Sequence, residues 1–260
     1  MHTLNGTSRL LGTIALAITV GVEAACKQPD ASASSVRGSA AATAVAPSSA
    51  ALPVSSARPP MPRAPGDTLT DSALVARADA GRLMGRDSGA IWMIVISDFQ
   101  CPYCKMWHDS TSAAVKREYV DDGRVRMAYL NLPLPQHPHA RVEAEAGLCA
   151  AAQGKFWPYA EGLFREQQKV ARLADVKPLL DSLARAGSLD MAEFARCRRS
   201  NAIKSLVESD IQQATRTGVR STPSFLIGDF LLEGASPLAT FRRAIDTALV
   251  VARNKTRGKR

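Results

Sequence analysis

"IWMIVISDFQCPYCKMWH", Ile91 to His108, joins an unbroken apolar run to two cysteines three positions apart. The run is rich in β-branched residues, so Ile91–Ser97 reads as a strand buried on both faces. A helix is expected from Pro102 to about Val120, and "DDG" stops it. "RVRMAYLNL", Arg124 to Leu132, alternates and forms a second strand. Strand, helix and strand of these lengths make a βαβ unit, with Cys101 and Cys104 at its first turn. Such a pair serves as half a metal site, as a staple or as a redox centre.

The neighbours separate these uses. Cys101 falls where a strand ends and a helix begins. Idle N–H groups and the helix dipole there favour a thiolate and lower the pKa of Cys101. Pro102 suits the first helical position, because the N–H it lacks would be idle there. Cys104, one turn on, can reach back as the more buried, resolving thiol. A zinc site would need a second CxxC or an HxxxH. Cys149 and Cys197 are too far apart for that, and His137 and His139 have the wrong spacing. A disulfide across so short a loop removes little entropy from the unfolded chain, so it is a poor staple. The redox reading remains: the disulfide itself is the redox group, with no metal and no other cofactor.

Outward from this centre, "TDSALVARADAG" reads as a helix capped by Thr70 or Asp71 and ended by Gly81, and "RLMG" as a short strand. Between His139 and Thr217 five stretches carry helical periodicity, punctuated by Gly and Pro. "TPSFLIGDFLLEG" follows as two short strands. Gly228-Asp229 is the hairpin link, because glycine takes the positive φ of a type II′ turn. "SPLATFRRAIDTALVVA" closes the chain as an amphipathic helix with Ser236 as its candidate cap. The order gives an α/β protein with a thioredoxin fold and an inserted all-helical domain. The fold is expected to occupy 69–135 and 218–255, the helical insertion 136–217, and a basic tail 256–260.

The chain has 260 residues and a formal charge of +9. Its basic residues are scattered and stand beside no nucleic-acid motif, so nucleic acid is not the expected partner. At the N-terminus a polar start with Arg9 precedes thirteen uncharged residues, "LLGTIALAITVGV", and then "EAAC". This is the pattern of a signal peptide over residues 1–25. The apolar stretch is too short to span a bilayer comfortably. Small residues before Cys26 resemble a lipobox, which would lipidate that cysteine. Glu23 departs from the pattern, and ordinary cleavage after Ala24 or Ala25 is the alternative. Residues 26–68 are mostly Ala, Ser and Pro and cannot bury enough apolar area to fold. They read as a tether with a span of roughly 35 Å.

Five cysteines are present, an odd count for an oxidising compartment. Lipidation or loss of Cys26 leaves four. If Cys149 and Cys197 pair, they close a loop of nearly fifty residues on two helices of the insert, worth roughly 4 kcal/mol. Two separate buried thiols are the alternative.

"SDFQCPYC", "CAAAQGKFWPYAEGLF", "ARC" and "STPSFLIGDFLLEG" together resemble the DsbA-like thiol-disulfide oxidoreductases of the bacterial cell envelope, over about residues 69–253. The resemblance implies Cys101 as nucleophile and Cys104 as resolving cysteine, with Pro102 and Tyr103 between them. It implies Thr222 and Pro223 as a cis-proline loop that faces the cysteines and binds substrate. A second disulfide inside the insert occurs in some relatives, which fits Cys149 and Cys197. One departure stands out: the family often has a buried Glu at the sixth position before the first active-site cysteine, and Val95 stands there. Asp98 is the nearest acid. Ser221 replaces a frequent glycine, His108 reads as a solvated surface histidine, and Phe156 and Trp157 as core.

The expected activity is that of an exported oxidase, periplasmic or anchored to the cell envelope. As a monomer it would donate the Cys101–Cys104 disulfide to unfolded, cysteine-containing exported proteins, and a membrane redox partner would reoxidise it. A reductase or isomerase of the same fold, and a non-catalytic thioredoxin-like binding lipoprotein, are the alternatives.

Overall fold

The computed structural model describes residues 70–258. The signal peptide, the tether, Cys26 and the last two tail residues lie outside the described residues. Helix α1, Asp71–Gly81, starts at Thr70, whose hydroxyl accepts the Ala73 N–H. Gly81 is the last residue of this helix, and its requirement is space. A Cβ there would stand 1.9 Å from the Ala151 carbonyl oxygen of α4, Ala140–Ala152. Only glycine permits this approach of two helices.

Strand β1 is Leu83–Met84, β2 is Ile91–Ser97 and β3 is Val125–Asn131. Strands β4, Ser224–Ile227, and β5, Phe230–Glu233, complete a five-stranded sheet ordered β1-β3-β2-β4-β5. β2 lies at the centre, parallel to β3 and antiparallel to β4. Its unbroken apolar run follows from cover on both faces. Met93 and Val95 join the main core with Trp107, Phe225 and Phe241, while Ile96 packs with Leu132, Ala214 and Val219 on the other side. The β4–β5 link is the two-residue Gly228-Asp229 turn, with Gly228 at φ 57° and no positive φ at Asp229, as a type II′ turn requires.

After the cysteine motif the chain forms α2, Pro102–Trp107, a π-helical turn His108–Ser112, α3, Ala113–Val115, and a second π-helical turn Lys116–Val120. The expected helix therefore keeps its extent but not one continuous pitch. The Ser110 and Ser112 hydroxyls donate to the carbonyls of Met106 and His108, drawing on acceptors of the regular ladder at the widened turn.

The insert holds α4 and four further helices: α5 Phe156–Val170, α6 Lys177–Ala186, α7 Met191–Arg199 and α8 Asn201–Arg216. α8 meets the sheet through a buried pair: Asp210 accepts from Arg82 and from the Asn131 backbone and amide. α9, Leu238–Arg257, ends the described chain. Its N-cap is Pro237, not Ser236, because the extended backbone turns into the helix one residue later and no side chain bonds the first N–H groups. Thr256 and Arg257 belong to its last turn, so part of the expected tail is helical. Among the described residues no helix is long and apolar enough to cross a membrane.

Candidate active site

Cys101 occupies the N-cap of α2, with extended backbone, and Pro102 opens the helix. Cys101 and Cys104 are both reduced and both buried, Cys101 4 % exposed and Cys104 fully enclosed. Tyr103 and Met106, on the same helix, are exposed beside them at 61 % and 52 %. The Cys101 sulfur thus lies just beneath an exposed surface.

The two sulfurs differ in acidity. Cys101 is lowered to about 5. The Cys104 thiol donating to it contributes most, burial opposes, and the Thr222 hydroxyl and the N–H groups of Cys104 and Tyr103 add to the lowering. Cys104 is pushed well above the ordinary thiol value, first by burial and then by its hydrogen bond and charge contact with Cys101. The Ser97 hydroxyl and the Asp98 N–H, 3.5 Å from the Cys104 sulfur, act in the opposite direction.

The Thr222–Pro223 bond is cis, and the loop lies across the cysteine motif: the Cys101 thiol donates to the Thr222 carbonyl at 3.3 Å. Ser221 lends its carbonyl to the Ser224 hydroxyl at 2.8 Å, a contact that serves the turn and not the sulfurs.

Side chains whose partners no short window of sequence shows hold the motif in place. Gln167 of α5 donates to the carbonyls of Phe99 at 2.6 Å and Cys101 at 3.0 Å. Gln100 accepts the His139 N–H at 2.8 Å. Asp98 is buried, and its carboxylate accepts from the Gln100 N–H, the Leu134 N–H and His137 Nδ1. No local pattern marks these residues, because each partner but Gln100 stands more than thirty positions away. His108 differs from its reading as a solvated residue: it is half-buried, with its ring on Phe164 at 4.7 Å between centroids. The pull is aromatic contact with α5. Phe156 is fully buried, and Trp157 is half-buried and donates to the Leu83 carbonyl. Val95 lies buried on β2 directly beside Tyr129 of β3.

Cys149 of α4 and Cys197 of α7 are bonded to each other, with Cα atoms 5.7 Å apart and a separation of 48 in sequence. This pair shares the core of the insert and takes no part in the site.

A family model described as Thioredoxin matches residues 77–247. The chain is 25% identical over 170 residues to a probable disulfide bond formation protein D of Bacillus anthracis, covering 64% of this chain and 77% of that one. It is 29% identical over 170 residues to a Na(+)/H(+) antiporter NhaA of Herminiimonas arsenicoxydans. That match covers 64% of this chain but 25% of the antiporter, so the chain spans about a quarter of that relative. In structure it is similar to oxidised BdbD from Bacillus subtilis, with a TM-score of 0.60 at 19% identity over 65% of this chain and 92% of that one.

Proposed function

We propose that this chain, a member of the thioredoxin family, is a DsbA-like protein-disulfide oxidoreductase working as an exported oxidase. Cys101 is the nucleophile and Cys104 the resolving cysteine. The observation that carries the reading is the opposed acidity of the two sulfurs. A Cys101 thiolate held near 5 stabilises the reduced protein, and stabilising the reduced form makes the disulfide a stronger oxidant.

In the oxidised protein a substrate thiolate attacks the Cys101 sulfur. The Cys101–Cys104 bond breaks, its electron pair goes to Cys104, and a mixed disulfide joins substrate to Cys101. A second substrate thiolate then attacks the substrate sulfur of that bond and expels Cys101 as a thiolate. The substrate leaves with a disulfide and the protein keeps two electrons. Thr222 and Pro223 lie where they can hold the substrate backbone, and Tyr103 and Met106 offer apolar contact beside it. A membrane redox partner restores the disulfide. Cysteine-containing exported proteins are the substrates, the working form is a monomer, and the fold is held in the periplasm or at the cell envelope through residues 26–68, with Cys26 as the lipidated anchor. The leader pattern and the Ala/Ser/Pro-rich segment support this placement.

Oxidative refolding of a reduced, cysteine-containing test protein, with Cys101→Ser as control, tests the activity. The wild type is expected to restore native disulfides and the variant to match buffer. A reduction potential of about −120 mV is expected, and one near about −270 mV would make the protein a reductase.

A further inference from the structure

The stretch between β3 and α4, Pro133 to His139, carries three prolines and two histidines that the redox chemistry leaves without a task. Leu134–His137 is a tight turn, closed by the His137 N–H on the Leu134 carbonyl at 3.0 Å. Pro135 stands at its second position, where the proline ring presets the backbone. Both ends of this turn donate to one oxygen of the buried Asp98 carboxylate, Leu134 through its N–H at 2.8 Å and His137 through Nδ1 at 2.7 Å. A carboxylate only accepts, so the Nδ1 that faces it carries the hydrogen. The other Asp98 oxygen takes the Gln100 N–H at 2.7 Å, and the Asp98 carbonyl takes the Cys101 N–H at 3.1 Å. His139 extends the hold: its N–H reaches Gln100 Oε1 at 2.8 Å, and its Nε2 meets the Leu173 carbonyl at 2.8 Å.

Asp98 is therefore the anchor of the loop between β2 and α2, and its own N–H points into the site, 3.5 Å from the Cys104 sulfur. Cys104 is fully enclosed, so solvent does not replace a donor lost there. A reduced sulfur carries more charge than a sulfur in a disulfide and is the better acceptor. A donor held on it favours the reduced pair, and a pair that favours reduction is the stronger oxidant. The three donors on the Asp98 carboxylate differ in one respect. Two are backbone N–H groups that almost any sequence would supply, and the third is a side chain. His137 is thus the place where the sequence sets how firmly Asp98 is held.

We propose that His137 is a positioning residue of the disulfide exchange. Its bond to the Asp98 carboxylate keeps the Asp98 N–H on the Cys104 sulfur and so raises the reduction potential of the Cys101–Cys104 pair. The inference rests on the oxidoreductase reading. His137 acts through Asp98 alone and keeps its ring hydrogen throughout the exchange.

The test is the equilibrium of the full chain with glutathione, in which two glutathione thiols become one disulfide as Cys101–Cys104 is reduced, for wild type, His137→Leu and His137→Asn. Leu fills the place of the ring and offers no donor. Asn carries an N–H at the atom that Nδ1 occupies. His137→Leu should shift the equilibrium about tenfold towards the protein disulfide, the scale of one hydrogen bond, which is a fall in potential of about 30 mV for two electrons. His137→Asn should stay within about twofold of wild type. An unshifted Leu variant overturns the inference. So does an Asn variant that falls as far as Leu, because the effect would then belong to the packing of the ring. Nuclear magnetic resonance of the wild type gives a second reading that needs no variant. The Asp98 amide proton should move downfield when the pair is reduced, as a stronger hydrogen bond requires, and a proton that stays in place or moves upfield contradicts the inference. A wild-type disulfide that does not exchange with glutathione at all would instead sink the oxidoreductase reading, and the inference with it.

Discussion

Two cysteine pairs share one core, and burial does not tell them apart. Cys101 and Cys104 are 4 % and 0 % exposed, and Cys149 and Cys197 are 0 % and 3 %. Their surroundings and spacing separate them. Cys101 stands at a helix start, where a second thiol and the Cys104 and Tyr103 N–H groups lower its pKa, with the Thr222 carbonyl 3.3 Å from its sulfur. Cys149 and Cys197 lie within helices α4 and α7 among apolar side chains and close 48 positions of chain. The first pair therefore stabilises a thiolate and constrains almost nothing. The second constrains a large loop and has nothing to hold a charge. On the proposed reading, one fold uses the same bond as a reagent in one place and as a clamp in another.

The sharpest way to break this contrast is to exchange the losses. Cys101→Ser should reduce substrate oxidation to the uncatalysed level, at least about 10³-fold, because no other described sulfur lies at a helix start under an open surface. The doubly substituted Cys149→Ala, Cys197→Ala protein should keep its exchange rate within about twofold at 25 °C, a change within ordinary mutational scatter. Refolding assays on the two variants check both outcomes. Stability should reverse the order. Loss of the Cys149–Cys197 bond should cost roughly 4 kcal/mol by loop entropy, a fall in Tm of roughly 8–16 °C for a domain of this size, while Cys101→Ser should shift Tm far less.

A smaller effect sharpens the contrast through pH. The folded Cys101 thiol titrates at about 5, below its unfolded value. A depressed pKa stabilises the reduced fold in full above the unfolded value, and this contribution is lost as pH falls through about 5. At neutral pH, reducing Cys101–Cys104 alone should raise Tm, and the rise should vanish near pH 5. Reducing Cys149–Cys197 should lower Tm at every pH. Calorimetry of the selectively reduced protein decides whether the two bonds differ in sign. The smallest expected effect is that of Gln167→Leu, which leaves the Phe99 and Cys101 carbonyls without their donor. A loss of about 1–3 kcal/mol is expected from chemical denaturation, with the Cys149–Cys197 bond intact.

The parts of this architecture that were legible in the sequence are those written in neighbouring residues. The apolar run of β2, the Pro102 helix start, the Gly228-Asp229 turn and the helical periods of the insert each need only a short window. The Cys149–Cys197 contact was reachable by counting sulfurs. Gln167 and His137 were not, because their contacts depend on partners that only the tertiary fold brings near, and neither was the burial of Glu143. Glu143 sits in "RVEAEAG", where nothing separates a buried acid from the partly exposed Glu145 two residues on. Val95 drew notice only as a departure from a family pattern. The structure adds that the position lies in register with Tyr129 of β3. Ser236 failed as a cap for the same local reason that Thr70 succeeded: the helix begins where the backbone turns, and at α9 that is one residue later.

The central claim is that Cys101 exists as a thiolate in a site built to stabilise it. The most direct measurement is the ultraviolet absorbance of the thiolate as a function of pH, on protein reduced at Cys101–Cys104 and on Cys101→Ser. The account predicts a transition centred at about 5 in the wild type that is missing from the variant. A transition at the ordinary thiol value of about 8.5, or one near 5 that survives the substitution, would contradict it.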